Sequence, residues 1–298
     1  MSNTTLPEGI KPHEEEVGTS LYKDAWYRLL KNKFAVLGGS ILILELILCL
    51  ITPWVAPYGF ETQNLELTLA KPSWIHWFGT DNLGRDLFTR ILYGGRISIT
   101  VGLLASLVCV VVGVIYGAIS GFIGGKTDNI LMRLVDILYA LPFIFLVIIL
   151  MVYFGRNILL LFLALGLTQW LTMARIVRGQ VISLKHKEFI EAAKSIGVKT
   201  RFIILRHLIP NALGPVIVYL TLTVPAVILE EAFLSFLGLG VQAPMASWGT
   251  LISSGVEVME IAPWVLFFPA LMLSATLFSL NFLGDGLRDA LDPKGAKD

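Results

Sequence analysis

Charge is scarce in this sequence. Asp, Glu, Lys and Arg make up 15% of its 298 residues, where a soluble domain carries about one quarter. That deficit excludes one water-soluble core as the hiding place of the 55% of residues that are apolar. Net charge is +1, and neither end carries an acidic or basic tract of the kind that marks a nucleic-acid partner. The two cysteines, Cys49 and Cys109, both fall inside apolar runs. They are expected to pack as small hydrophobes, not to form a structural disulfide. His13, His76, His186 and His207 are dispersed and show no metal-ligand spacing. There is no nucleophile elbow and no Cys-x-x-Cys pair. The chain alone is therefore expected to be no enzyme and to bind no metal or cofactor.

What is abundant is long apolar runs, with a mean hydropathy of +0.75 overall. A helix needs roughly 20 apolar residues to cross a hydrocarbon core of about 30 Å. Six runs qualify: 34–56, 97–123, 134–154, 158–174, 212–237 and 263–283. They are continuous and do not alternate, which predicts helices and not barrel strands. The first run begins behind a long polar segment and exceeds a signal-peptide apolar core, so it reads as a retained anchor.

Basic residues set the expected orientation. Segments 1–33, 124–133, 175–211 and 284–298 hold 18 of the 23 Lys and Arg residues, and the alternate loops hold 5. Basic loops remain cytoplasmic, which places both termini inside. Residues 21–33 mix aromatic and basic side chains and suit a short helix lying in the inner interface. The outer loop 57–96 contains FGTDNLGRDLFTRILYGGR (78–96), where a partly helical external element is expected.

The largest internal loop, 175–211, carries a helical period. Phe189, Ala192, Ala193 and Ile196 fall at i, i+3, i+4 and i+7, one apolar stripe. Gly197 follows where a left-handed cap belongs. A second apolar stretch, Phe202 to Ile209, runs into Pro210, which is expected to stop it. Two short helices around a glycine elbow result. Periodicity alone leaves the cover of the stripe open: the chain's own spans, lipid, or a partner.

Within this loop EAAKSIG (191–197) followed by LIPN (208–211) resembles the EAA loop of ABC importer permeases. That pattern is Glu-Ala-Ala, three residues, Gly, nine residues, then Ile-x-Leu-Pro. His207 and Ile209 depart from it in the manner of the peptide branch. Further likenesses to the C-type permease subunit of oligopeptide importers lie at 28–43, 78–99, EEAFLSFLGLG (230–240), SWG (247–249) and GDGLRDALDP (284–293).

The resemblance implies an all-α, six-span type I ABC importer permease fold in a bacterial inner membrane. It implies the parts as well: a cytoplasmic segment 1–33, a first span with its outer loop over 34–96, a five-helix core over 97–291, and a tail from 292 to 298. Residues 186–210 would be the coupling helix region docking on an ATPase, with Glu188, Phe189, Glu191, Ala192, Ala193, Ile196, Gly197 and Pro210 carrying the contact. The implied partners are a homologous second permease subunit, two cytoplasmic ATPase subunits that bind ATP and Mg, an external peptide-binding protein, and the peptide itself. A dipeptide, nickel or glutathione importer is the alternative inside the family. An autonomous ion-coupled carrier is the alternative outside it, and would need acids and broken helices around a midplane site.

Several other features need a reading. SGFIGGKT (120–127) approaches a phosphate loop, but Ser120 replaces its first glycine and no strand is expected before it. Gly113, Gly117, Gly121 and Gly125 recur every fourth residue, which suits close helix packing. Glu45, Glu230 and Glu231 fall within or near spans, where acids are costly and are functional candidates by default. Glu230 and Glu231 are candidates for the translocation pathway or for structural pairing. Arg133 and Asp136 are expected to pair locally. Pro142, Pro225 and Pro269 are expected to bend their spans.

Overall fold

The computed structural model describes residues 21–155 and 157–291. The sequence readings on residues 1–20, Arg156 and the tail 292–298 lie outside these. Among the described residues the chain is helical, with one isolated bridge between Thr80 and Asp86.

Helix α1 (Leu21–Lys31) precedes α2 (Lys33–Val55), and Asn32 separates them. The Asn32 side chain accepts from the backbone N–H groups of Phe34 and Ala35, at 3.1 and 3.2 Å, which starts the first span. The loop that follows is tied to the start of α3 (Leu87–Ile123). Asp81 accepts from the backbone N–H of Leu83 and Arg85 and from Arg85 Nε at 2.7 Å. Asp86 caps α3 through the Thr89 N–H, 2.8 Å, while its other oxygen meets His76 Nδ1, also 2.8 Å.

Next come α4 (Gly125–Tyr139), α5 (Phe143–Phe154) and α6 (Ile158–Leu184). The cytoplasmic-loop candidate folds as α7 (Glu188–Ser195) and a helical run that begins with α8 (Thr200–Ile203). This run continues through a π-helical turn, Ile204–Leu208, into α9 (Ile209–Phe236). Helix α10 (Trp248–Glu257) lies between α9 and the last span, α11 (Pro263–Leu291).

Among the described residues five helices are long and apolar enough to cross a membrane, and six spans result if the bent pair α4–α5 counts as one. That pair bends by 84°. The third expected span, 134–154, in which Pro142 is expected to bend the helix, is broken into two helices. The break falls at Pro142, which cannot continue a helix from α4 and serves instead as the cap of α5. Pro225 and Pro269, by contrast, lie inside continuous helices.

Two spans outrun their apolar stretches. Helix α3 starts at Leu87, ten residues before position 97, because Asp86 caps it and Leu87, Ile91 and Leu92 are buried. Helix α6 continues to Leu184 because Met173, Val177 and Val181 carry one buried face past position 174. Its two arginines there find acids. Arg175 pairs with Asp136 at 2.8 Å, so the expected Arg133–Asp136 pair gives way to one across helices. Arg178 forks onto Asp128, with both arms at 2.6 Å.

The most extensive helix pair is α3 with α6. Gly113, Gly117 and Gly121 of α3 make that approach possible. A Cβ on Gly113 would lie 2.6 Å from Met173, one on Gly117 would fall on the Ala174 carbonyl, and one on Gly121 would lie 2.8 Å from the Arg178 carbonyl. Gly125 meets nothing within 4 Å and stands outside the contact.

Candidate coupling surface and membrane cavity

Helix α7 is built for its ends. Glu188 and Glu191 occupy its first turn and Lys194 its last, each matching the sign the helix dipole favours. It stops in a Schellman motif. The Gly197 N–H donates to the Lys194 carbonyl and the Val198 N–H to the Ala193 carbonyl, both 3.0 Å. Gly197 holds φ +79°, and an added Cβ would meet nothing within 4 Å. Backbone conformation, not space, therefore requires the glycine.

The inner face of this loop is packed on the chain itself. Ile190, Ala193, Ile203, Ile204 and Leu208 join Cys109, Val114 and Ala118 of α3 and Met173, Val177 and Val181 of α6 in one buried cluster. This corrects the stripe drawn from the sequence. Ala193 faces inward beside Ile190, so it is not available to a partner. The sequence stripe passed over Ile190, and one helix position turns the face by about 100°. Phe189, Ala192 and Ile196 remain outward, with Phe189 41% and Ile196 80% exposed. Glu188, Glu191 and Gly197 are exposed with them. Leu205 and Phe202 extend the exposed apolar surface, and Arg201 and Arg206 lie over the Phe202 ring at 4.8 and 5.5 Å.

Pro210 is also corrected. It is exposed, but it does not stop a helix, because the run passes through it to Phe236. The π turn accounts for this. The Ile209 N–H donates five residues back, to the Ile204 carbonyl. The widened turn admits a ring that lacks a donor and would clash with the carbonyl four residues earlier.

The elbow is joined to the spans around it. Lys185 Nζ donates to the Gly121 carbonyl at 3.1 Å, and Lys194 Nζ lies 5.3 Å from the Phe122 ring centre. Asp128, held by Arg178, also accepts from Ser120 at 2.5 Å. The phosphate-loop lookalike is thus the end of α3, Gly124 between the helices, and the start of α4 at Gly125. Ser120 faces an aspartate, and a helix precedes the glycines.

At the far end of α9 the adjacent acids part company. Glu231 is fully buried. Its Oε1 accepts from Ser235 at 2.6 Å and its Oε2 from Ser98 at 3.1 Å. Ser98 in turn accepts from the Trp248 backbone N–H, and Ser247 donates to Ser235. Glu231 therefore ties α3, α9 and α10 together, the structural pairing that the sequence leaves open beside a pathway role. Glu45 plays a similar part between α2 and α11, accepting from Thr276 at 2.7 Å. Glu230 faces a cavity of about 390 Å³ lined in part by Tyr139, Pro142, Thr168, Gln169 and Thr172. The sequence reading missed these α6 residues. Their signal was Thr-Gln and Thr set within an otherwise apolar run.

Residues 113–297 match the family of binding-protein-dependent transport system inner membrane components. The chain belongs to this family. Residues 20–72 match the N-terminal TM domain of oligopeptide transport permease C. The oligopeptide transport system permease protein OppC of Haemophilus influenzae is 52% identical over 98% of this chain and 96% of its own length. The protein of the same description from Escherichia coli K12 is 51% identical over 98% and 97%. In structure this permease resembles a chain of the MetNI methionine ABC transporter in an inward-facing form. The TM-score is 0.56 at 19% identity, over 69% of this chain and 98% of that one. That likeness shows the fold, the type I ABC importer permease fold. The family member described here is a multi-pass membrane protein.

Proposed function

We propose that this chain is the permease subunit of an ATP-driven, binding-protein-dependent importer of oligopeptides. The observation that carries the proposal is the two-sided α7 elbow. Its inner face is locked to α3 and α6, and its outer face presents Phe189, Ala192 and Ile196 among Glu188, Glu191 and Lys194. A surface fixed to the spans on one side and unfilled on the other is suited to carry motion from a docked partner into the spans. The names of the relatives supply the substrate class, peptides.

In this reading the chain sits in a bacterial inner membrane with both termini cytoplasmic, as the basic asymmetry favours. A homologous second permease completes the pathway. Two ATPase subunits bind ATP and Mg, close, and push on the elbow of each permease. The spans then open toward an external binding protein that delivers peptide, and hydrolysis resets them. The permease contributes half of the path and one mechanical link, without catalysis of its own.

The test is reconstitution. The chain, co-expressed with a second permease, the ATPase subunits and a peptide-binding protein from its own organism, is placed in proteoliposomes with ATP inside the ATPase-facing compartment. The expected result is ATP-dependent uptake of labelled peptide that requires the binding protein. Uptake that persists without ATP and follows an ion gradient would support the secondary-carrier alternative.

A further inference from the structure

The geometry points to a substrate subsite inside the membrane: we propose that the cavity between the α4–α5 break, α6 and α9 receives the peptide's ammonium group on Glu230. The proposal rests on the peptide-importer reading above and adds the chemistry of one contact.

The depth of the cavity is the first observation. Gln169 lies eleven residues into α6 from Ile158, about 16 Å at about 1.5 Å per residue. That is about half of a hydrocarbon core of about 30 Å. Across from it, the third span breaks at Pro142. Irregular backbone at such depth is tolerated where it borders protein or a cavity, not where it meets lipid.

The acid in that cavity is the second observation. Glu230 Oε1 accepts from Gln169 Nε2 at 2.7 Å, while Oε2 is buried and has no hydrogen-bond partner among the described residues. The neighbouring Glu231 shows what a structural acid looks like here, with a serine hydroxyl on each oxygen. Leaving one carboxylate oxygen unpaired costs free energy, and a structural acid would not retain that cost without compensation.

A cationic guest supplies the missing donor. An ammonium carries three N–H donors and no acceptor. The site offers the matching acceptors: the Glu230 carboxylate, the Thr172 hydroxyl, and the lone pairs of Thr168 Oγ1, whose proton is committed to the Leu165 carbonyl at 2.7 Å. Gln169 holds Oε1, and Oε2 is the oxygen left for the guest's N–H. Arg175 and Asp136 form their own pair beside Tyr139 at the edge of the site, with Arg175 4.5 Å from that ring centre. With that pair neutralised by itself, the acid left with an oxygen to offer a cation in this cavity is Glu230. A volume of about 390 Å³ holds the end of a peptide and not a long chain. The subsite would thus take the amine end during passage and leave the rest of the peptide in the shared path.

The test uses the assembled complex with its binding protein in proteoliposomes. Two tripeptides of uncharged side chains are compared, one with a diazirine side chain at the first residue and one at the last, both with free amines. On photolysis during turnover, the amine-end probe is expected to mark residues 138–142, 168–172 or 230, and the carboxyl-end probe is not. Glu230→Gln is expected to lower the initial uptake rate about tenfold or more, with peptide affinity of the binding protein unchanged, and Glu230→Asp to restore part of it. Equal uptake by Glu230→Gln, or amine-end adducts confined to other residues, overturns the subsite. Should Glu230→Gln fail to assemble, the adduct map on the unaltered complex decides alone. If the unaltered complex imports no peptide, the importer reading fails first and the subsite falls with it, an outcome seen before any variant is compared.

Discussion

Ser98 on α3 donates to Glu231 on α9 at 3.1 Å, and the same Ser98 oxygen accepts the backbone N–H of Trp248 at the start of α10. One carboxylate thereby ties α3 and α9 to the short helix between α9 and α11. Ser235 and Ser247 complete the ring.

The first prediction follows from that ring. Glu231→Ala strips the acceptor from two buried hydroxyls, at about 1–3 kcal/mol for each group left unsatisfied. Glu231→Gln keeps the shape and one acceptor, and serine hydroxyls rotate to suit it. Glu231→Ala is expected to lower the melting temperature of the purified complex and its amount in the membrane, and Glu231→Gln to do far less. If Glu231→Ala melted normally yet stopped transport, the residue would belong to the pathway after all.

A second prediction concerns the helix fork between Asp128 and Arg178. A bidentate, charge-assisted pair joins α4 to α6. Arg178 is partly exposed, so the coupling is expected to be about 1 kcal/mol, not the larger value of a dry pair. A double-mutant cycle with Asp128→Ala and Arg178→Ala, read by denaturation of the complex, measures it. Strictly additive effects would show that the fork contributes nothing to the pairing of these helices.

The α7 elbow gives the third. Gly197→Val places a Cβ and a branched side chain at φ +79°, a conformation that costs roughly 1–2 kcal/mol for a residue with Cβ. The turn that aims Phe189 and Ile196 outward is expected to relax to another angle. Glu191→Lys reverses an exposed charge on the same face, which affects docking register more than affinity. Both variants are expected to insert and pair with the second permease while peptide uptake and ATPase association fall. Full uptake and full association in both would remove the elbow from the coupling route.

A fourth prediction concerns nucleotide. The Gly-Gly-Lys segment joins two helices, and Ser120 is held by Asp128. The isolated subunit is expected to show no ATP binding by equilibrium dialysis. Binding that disappears in Lys126→Ala would contradict this.

Much of the fold was legible because a membrane span needs only a long apolar run. The resemblance at 191–197 was legible because Gly197 and its neighbours hold fixed spacings. What escaped the sequence depended on helix rotation and distant partners. Ile190, not Phe189, faces the core, because the packing of α7 on α3 and α6 selects among two overlapping apolar stripes. The two acids 230 and 231 look alike in sequence, and only Ser98, Gln169 and Ser235, brought from three places in the chain, tell them apart. The π turn ahead of Pro210 leaves no mark in composition. The break at Pro142 was visible as a proline, but its 84° angle depends on what packs on either side.

Coupling through the α7 elbow is tested most directly by cross-linking from position 196. Ile196 is 80% exposed, and the native Cys49 and Cys109 are buried, so an introduced Ile196→Cys is the reactive thiol of this chain once exposed cysteines of the other subunits have been replaced. The complex is assembled in membranes and treated with a short thiol-to-amine cross-linker. The expected result is a product joining this chain to an ATPase subunit, with a yield that changes when ATP is added. The same cysteine should stay unlabelled by an impermeant maleimide applied to the outside of intact spheroplasts. No ATPase product together with labelling from outside would contradict both the orientation and the coupling role.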